Sequence, residues 1–331
     1  MALIVGGMAW WATRPLTLAS SPLDVTIRPH SSVRSVAAQL QRGGVPVSPA
    51  LFELMTRALG EQARLKSGNY EFKTGITPYG VLRKMVLGDV NEGMVTIIEG
   101  WTFHKMRAEL DANPALRHDT AAMTDAQLLA TLGAPAAPMN NAEGLFFPDT
   151  YLFDKKSSDL SVYRRAYRQM QKRLASAWAA RAPGLPLSTP YEALTLASLI
   201  EKETGMAADR SMVAAVFINR LRAHMPLQTD PSVIYGLGSA YQGRLHKADL
   251  QTRTIYNTYL HTGLPPTPIA LPSAASLHAA LHPAHSSALY FVARGDGSSE
   301  FSNTLREHDQ AVDRYILDKS KDDGSHGSSA R

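Results

Sequence analysis

The residues of greatest chemical promise are two glutamates, Glu201 and Glu203, in the run LASLIEKET from Leu196 to Thr204. A carboxyl group can hand a proton to a leaving oxygen and later take one back only if its pKa lies near the working pH. For glutamate this requires desolvation or nearby negative charge. The end of an apolar helix offers both, because the apolar stripe excludes water and the negative helix terminus opposes ionisation. At about 100° per residue, Glu203 continues the line of Leu196, Leu199 and Ile200, while Glu201 points almost the opposite way, with Leu194, Ala197 and Ser198. Glu203 is therefore the expected general acid and Glu201 the alternative. The plainer reading makes both of them solvated residues of a last turn. Downstream, Asn219, Gln228, Thr229 and Asp230 bring amide, hydroxyl and carboxylate groups to a loop and a helix start, the mixture that carbohydrate recognition uses. For Asp230, followed by Pro231, simple helix capping explains the pattern as well.

These residues depend on helices whose limits are written in the sequence. Thr189 and Glu192 form a capping-box pattern with Pro190 at the first helical position, and Gly205 offers the stop. A second helix carries Met212, Val213, Val216, Phe217 and Leu221 on one stripe until Pro226. Upstream, Val25 to Ile27 reads as a short strand. Ser32 caps a helix, Ser48-Pro49 starts another that ends at Gly60, Tyr70 and Phe72 alternate along a strand, and Thr77-Pro78 starts a third helix before Gly88. A strand through Val95 and Ile97 leads to a helix through Met106 and Leu110, and a further helix spans Asp125 to Thr131. Leu160 to Trp178 is a basic amphipathic helix, expected to be a solvated face. Ser273 to Leu281 reads as a short helix, Leu289–Ala293 and Glu300–Ser302 as a hairpin, and Thr304 to Leu317 as a closing helix.

Composition removes several function classes. The chain has 331 residues and no cysteine, which excludes thiol catalysis, disulfides and cysteine metal sites. No HExxH spacing occurs among its 11 histidines, and no glycine-rich phosphate loop is present, so neither metal nor cofactor is expected. The net charge of +5 is spread without a dense basic block, which suits anionic envelope polymers or lipid and carries no nucleic-acid signature.

LASLIEKET, VAAVFINRL, LQTDPSVIYGLG, YNTYLHTGLPPTPIALP and ALYFVARGDGSSEFSNTLREH, in this order and preceded by GLFFPDTY at Gly144–Tyr151, resemble the endolytic murein transglycosylases, the MltG or YceG-like proteins. The resemblance covers most of the chain. It implies an α+β fold with an N-terminal membrane segment, a small LysM-like α+β subdomain and a larger α+β catalytic domain with a helical active-site core. The corresponding divisions are 1–20, 24–95 and 96–318, with a disordered tail at 319–331. The LysM-like part would contact glycan or act as a spacer. Phe146 and Phe147 are expected in the core rather than on a sugar platform.

By motif position, the resemblance implies that Gln228, Thr229, Asp230, Tyr235 and Asn257 line a glycan cleft. It implies an enzyme that cleaves peptidoglycan strands and leaves 1,6-anhydro ends. Glu203, in its Glu-Thr pair, would be the single acid and base. Two other readings stay open: a muramidase in which Asp230 or Glu143 supplies a second carboxylate for attack by water, and a non-catalytic glycan-binding scaffold. The apolar start, MALIVGGMAWWAT, would rise only ~20 Å as a helix against ~30 Å of bilayer hydrocarbon. With Trp10 and Trp11 placed like an interfacial belt, it reads as the outer part of a membrane helix whose beginning is missing. The expected setting is a single pass through the cytoplasmic membrane, with the bulk of the chain outside. Peptidoglycan and the membrane are then the partners, joined by murein synthases of the penicillin-binding class.

Overall fold

The computed structural model describes residues 2–135 and 137–317; the tail from 319 lies outside them. The chain forms two compact units. The first takes the chain up to Val95 together with Asn113–Arg117 and Tyr151–Asp159, and the second takes Thr96–Ala112, His118–Thr150 and the chain from Leu160 onward.

The first unit begins with helix α1 (Ala2–Thr13), then strand β1 (Leu23–Ile27), α2 (Val33–Arg42), α3 (Pro49–Ala58), β2 (Gly68–Phe72), α4 (Pro78–Leu87) and β3 (Glu92–Thr96). Ser32 and Thr77 each cap the following helix by accepting a backbone N–H, and Gly88 closes α4 in the left-handed region that favours glycine. β1 and β2 pair antiparallel, Leu23 opposite Phe72 and Ile27 opposite Gly68. Their inward residues Val25, Ile27, Tyr70 and Phe72 join Val36, Leu40, Phe52 and Met85 in one core. α1 packs here too: Met8, Trp11 and Ala12 rest against that core, while Trp10 is exposed with the Arg14 guanidinium 5.3 Å from its ring centre. The two tryptophans expected to act alike thus face different surroundings. Among the described residues, no helix is long and apolar enough to cross a membrane.

β3 pairs with β4 (Thr150–Asp154). The sequence reading treated the beginning of this strand as part of a turn. Its signal is the alternation of buried Tyr151 and Phe153 with exposed Leu152.

The second unit holds α5 (Phe103–Asp111), α6 (Asp125–Leu132), α7 (Leu160–Ala179), α8 (Pro190–Glu203), α9 (Arg210–Arg222), α10 (Asp230–Leu237), α11 (Ala274–Leu281), the antiparallel hairpin β5 (Tyr290–Ala293) and β6 (Ser299–Ser302), and α12 (Leu305–Val312). A single π-helical turn, Asp313–Leu317, follows α12. α8 is the centre: α7, α9, α10 and α11 all pack on it, and every residue from Ala193 to Ile200 is buried. Phe146 stacks on Phe103 at 5.1 Å and meets the edge of Tyr163 at 5.6 Å, so it belongs to the core as expected. Phe147 is buried too, beneath the guanidinium of Arg173.

Three local expectations change. Glu192 accepts the N–H of Ser188 instead of closing the box on Thr189. α8 stops at Thr204, which turns to extended backbone, and not at a left-handed Gly205. α9 is buried nearly all round its middle, from Val213 to Ile218, because α8, α11 and β5 all pack on it.

Candidate active site

The C-terminal turn of α8 delivers its two carboxylates to unlike surroundings. Both lie in a packed region, since residues on both faces of α8 are buried, so direction along an apolar stripe does not by itself tell them apart. Their partners do. Glu201 Oε2 accepts the Ser273 N–H at 2.9 Å and the Ser273 hydroxyl at 2.5 Å, and Arg210 lies 3.8 Å from Oε1. Glu201 therefore fastens the N-cap of α11. Glu203 is partly buried and has one hydrogen bond among the described residues, 2.6 Å from the Thr229 hydroxyl to its Oε2. Burial pushes the Glu203 carboxyl above the ordinary glutamate value, and Asp230 pushes the same way. The Thr229 hydroxyl and the more distant Arg220 charge oppose them. A protonatable carboxyl with one free oxygen is what a general acid requires.

Thr229 is held in place from every side. Its N–H donates to the Thr258 hydroxyl at 3.0 Å, and its carbonyl accepts the Ser232 hydroxyl at 2.7 Å. The Ser232 and Thr258 hydroxyls are 2.8 Å apart. The helix start expected at Asp230-Pro231 falls one residue earlier: Thr229 is the N-cap residue of α10, and Asp230 already lies inside the helix. Thr229 makes no side-chain cap; its hydroxyl donates to Glu203. α10 also lies close to the loop before Tyr256: a Cβ at Gly236 would run into the Thr254 side chain, so only glycine fits.

The other expected residues divide into those near Glu203 and those bonded elsewhere. Asp230 is exposed beside Glu203 and accepts the Tyr259 hydroxyl at 2.5 Å. Gln228 is exposed, with its backbone in the left-handed region at φ 52°. Asn257 is fully buried: its amide donates to the carbonyls of Leu250 and Thr252, and its Oδ1 accepts the Tyr259 N–H, so it shapes the loop. The Asn219 amide donates to the carbonyls of Ser286 and Ala288, which ties α9 to the segment before β5 and away from Glu203.

Tyr235 donates to Glu143 Oε2 at 3.2 Å, and the Phe103 N–H donates to Glu143 Oε1 at 2.8 Å. Burial pushes the Glu143 carboxyl up to about 7. These two residues border a cavity of about 350 Å³ together with Asn141 and Arg107. A larger cavity of about 850 Å³ lies at the other end of α8, around Thr189–Glu192 and Gly263–Pro266. Glu192 is ~16 Å along the helix from Glu203, so that cavity is remote from the acid.

A model of the YceG-like family matches residues 25–314. The chain belongs to this family. An endolytic murein transglycosylase of Bacillus subtilis strain 168 is 31% identical over 313 residues, covering 90% of this chain and 86% of the relative. An endolytic murein transglycosylase of Streptococcus pneumoniae strain D39 is 26% identical over 328 residues, covering 90% of this chain and 59% of its own length. A crystal structure of a YceG-like protein from Listeria monocytogenes superposes with a TM-score of 0.56 at 29% identity, over 88% of this chain and 99% of that one.

In this YceG-like chain, Arg220, Ser232, Thr258 and Tyr259 were not assigned to the site by sequence reasoning. Arg220 left a signal: it stands three residues after Phe217 and four after Val216, a cation on a stripe otherwise read as apolar. The hydroxyl partners left none, since serine and threonine beside proline and asparagine read as ordinary turn chemistry.

Proposed function

We propose that this chain is an endolytic murein transglycosylase that cuts peptidoglycan glycan strands, with Glu203 as its single acid and base. Glu203 protonates the oxygen of the MurNAc–GlcNAc bond, and its carboxylate then takes the proton of the muramoyl C6 hydroxyl as that oxygen closes on C1. The glycosidic C–O bond breaks, the new C–O bond forms within the same sugar, and no water is consumed. One group can serve both halves because giving the first proton to the leaving oxygen leaves the carboxylate that accepts the second from the C6 hydroxyl. The observation that carries this reading is the half-buried Glu203, raised in pKa and bound by one neutral hydroxyl, with no cation bonded to it among the described residues.

Asp230, exposed beside Glu203, favours a second reading in which water attacks and a second carboxylate assists. Glu143 suits that part less well, because donors occupy both its oxygens. The test is digestion of defined glycan polymers in ¹⁸O water, followed by mass spectrometry of both fragments. Anhydro ends without label are expected. Labelled reducing ends would establish the muramidase, disaccharides released stepwise from a terminus would refute internal cleavage, and intact polymer would favour a scaffold.

We also propose that the apolar start tethers the protein at the outer face of the cytoplasmic membrane, that residues 24–95 are LysM-like and contact glycan, and that the partners are murein synthases of the penicillin-binding class. What supports this is the substrate, which lies outside the cytoplasm, and the tether's effect on local concentration near membrane-embedded synthases. A reporter fused after Arg331 should be active only in its exported form; cytoplasmic activity would overturn the topology.

A further inference from the structure

Arg220 is a buried cation, 7% exposed, whose hydrogen bonds among the described residues all go to neutral oxygens. Its Nη1 donates to the carbonyls of Pro226 at 3.1 Å and Leu227 at 3.0 Å and to the Gln228 side-chain oxygen at 2.9 Å. Its Nε donates to the Leu289 carbonyl at 2.7 Å, and the ring of Tyr290 lies 5.1 Å from the guanidinium carbon. Burying a guanidinium without a bonded carboxylate is costly, and such a group is retained where its neighbours hold it firmly. Here the neighbours are the three residues that lead into Thr229. Gln228 sits in a left-handed conformation unusual for a side-chain-bearing residue, fixed by Arg220 at one end and by its own N–H to the Thr258 carbonyl, 3.1 Å, at the other.

We infer that Arg220 is a positioning residue for Glu203: it clamps the Pro226–Gln228 turn that presents Thr229 to the acid, and it supplies a positive field that stabilises the Glu203 carboxylate once its proton has left. The inference rests on the assignment of Glu203 as the acid. A directly bonded arginine would hold Glu203 ionised and remove it as a proton donor. A buried charge at a distance avoids that, while the low-dielectric surroundings keep its field strong. The groups facing Glu203 are Arg220 from α9, Thr229 and Asp230 from the start of α10, and Tyr259 from the following loop. Arg220 in turn faces Tyr290 of β5, Tyr259 and His308 of α12. Of these, Arg220 and Asp230 act on Glu203 with opposite sign.

The test compares Arg220→Lys with Arg220→Gln in the full chain on defined glycan polymers, reading kcat, KM and the pH–rate profile. Loss of the charge raises the pKa of Glu203, so in Arg220→Gln the limb where the rate falls with rising pH should move upward. The weaker acid should lower kcat by tenfold or more, with KM within about twofold. Arg220→Lys keeps the charge and loses the forked geometry: its limb should stay in place while kcat falls severalfold. An unmoved limb in Arg220→Gln, or the same shift in both variants, would overturn the inference. So would wild-type kcat in Arg220→Lys. If Arg220→Gln does not fold, Arg220→Lys alone decides, because a shifted limb despite the retained charge refutes the field, and an unchanged kcat refutes the clamp. Activity surviving in Glu203→Gln would instead refute the underlying assignment of the acid.

Discussion

Two regions of the second unit hold glutamates in opposite ways, one of them at the end of α8 and the other beside α5. Glu203 is held by one hydroxyl on one oxygen. Glu143 is pinned on both oxygens, by the Phe103 N–H and the Tyr235 hydroxyl. Glu201, only two residues from Glu203, sides with Glu143: a serine contributes two donors to it, and an arginine stands close by. Burial alone does not make a catalytic carboxyl. A carboxyl with both oxygens bonded inside the fold works as a fastener, whereas one left with a free oxygen can pass a proton to a substrate.

The strongest way to break this comparison is to convert each carboxyl to its amide. Glu203→Gln should lose activity by about 10²–10⁴-fold, the usual scale for removing general acid–base catalysis, with unfolding unchanged because the amide oxygen can still accept from Thr229. Turnover on glycan polymers and a thermal melt of the same sample check both parts. Near-normal turnover would place the acid elsewhere.

Glu143→Gln should act on stability, and in a pH-dependent way. The Glu143 carboxyl is raised from 4.5 to about 7 in the fold, so the folded chain keeps a proton that the unfolded chain releases between those values. Its contribution is therefore complete below about pH 4.5 and is lost as pH rises toward 7. At about 1.36 kcal/mol per pKa unit the loss amounts to about 3 kcal/mol. In the amide variant one end can accept from Phe103 and the other can donate to Tyr235, and that slope disappears. Denaturant unfolding from pH 4.5 to 7.5 measures the difference between the two proteins. Parallel curves would mean that Glu143 does not hold its proton.

Glu201→Gln should likewise cost stability rather than chemistry. The amide keeps one acceptor for Ser273 but removes the negative charge that strengthens those hydrogen bonds and attracts Arg210, a loss of about 1.5–3 kcal/mol on the scale of a hydrogen bond to a charged group. Turnover per folded molecule should stay within a few-fold of the parent. A stable but inactive variant would reverse the roles of the two α8 glutamates.

How far the sequence shows this comparison depends on range. The cap at Thr189 and the start of α8 follow from neighbours within one turn and are legible, whereas the choice between the two α8 glutamates is not, because both faces of the helix are buried. What makes Glu201 a fastener is Ser273, a residue 72 positions later, and no local pattern announces it. Thr229 was legible as a polar group near the acid. Its register was not, because Asp230-Pro231 imitates a cap and first-turn pair so well that the true N-cap residue is read one position late. Asn219 and Asn257 read as ligand-binding amides, yet both bond backbone carbonyls, a use that residue type alone does not reveal. The core of the first unit was the most legible region, since alternation and caps at Ser32 and Thr77 are local signals.

The smallest and sharpest change is at the single donor that Glu203 keeps. Thr229→Val preserves shape and removes the hydroxyl, so the Glu203 carboxylate loses the hydrogen bond that favours its charged form. Its pKa then rises further, and the limb where the rate falls with increasing pH moves upward. A hydrogen bond is worth about 1.5–3 kcal/mol to a carboxylate and about 1 kcal/mol to a neutral carboxyl, and that difference limits the shift to about one pKa unit and the loss in kcat to roughly tenfold. Asp230 and Tyr259 remain in place in this variant, as does Arg220, so the shift reports the hydroxyl alone. Thr229→Ser returns the hydroxyl and should return the limb to its original position even if packing around the missing methyl lowers the rate. A limb that moves in the serine variant as far as in the valine variant would show that the Thr229 methyl, and not its hydrogen bond, sets the acid, and the contrast between one donor and many would lose its meaning for Glu203.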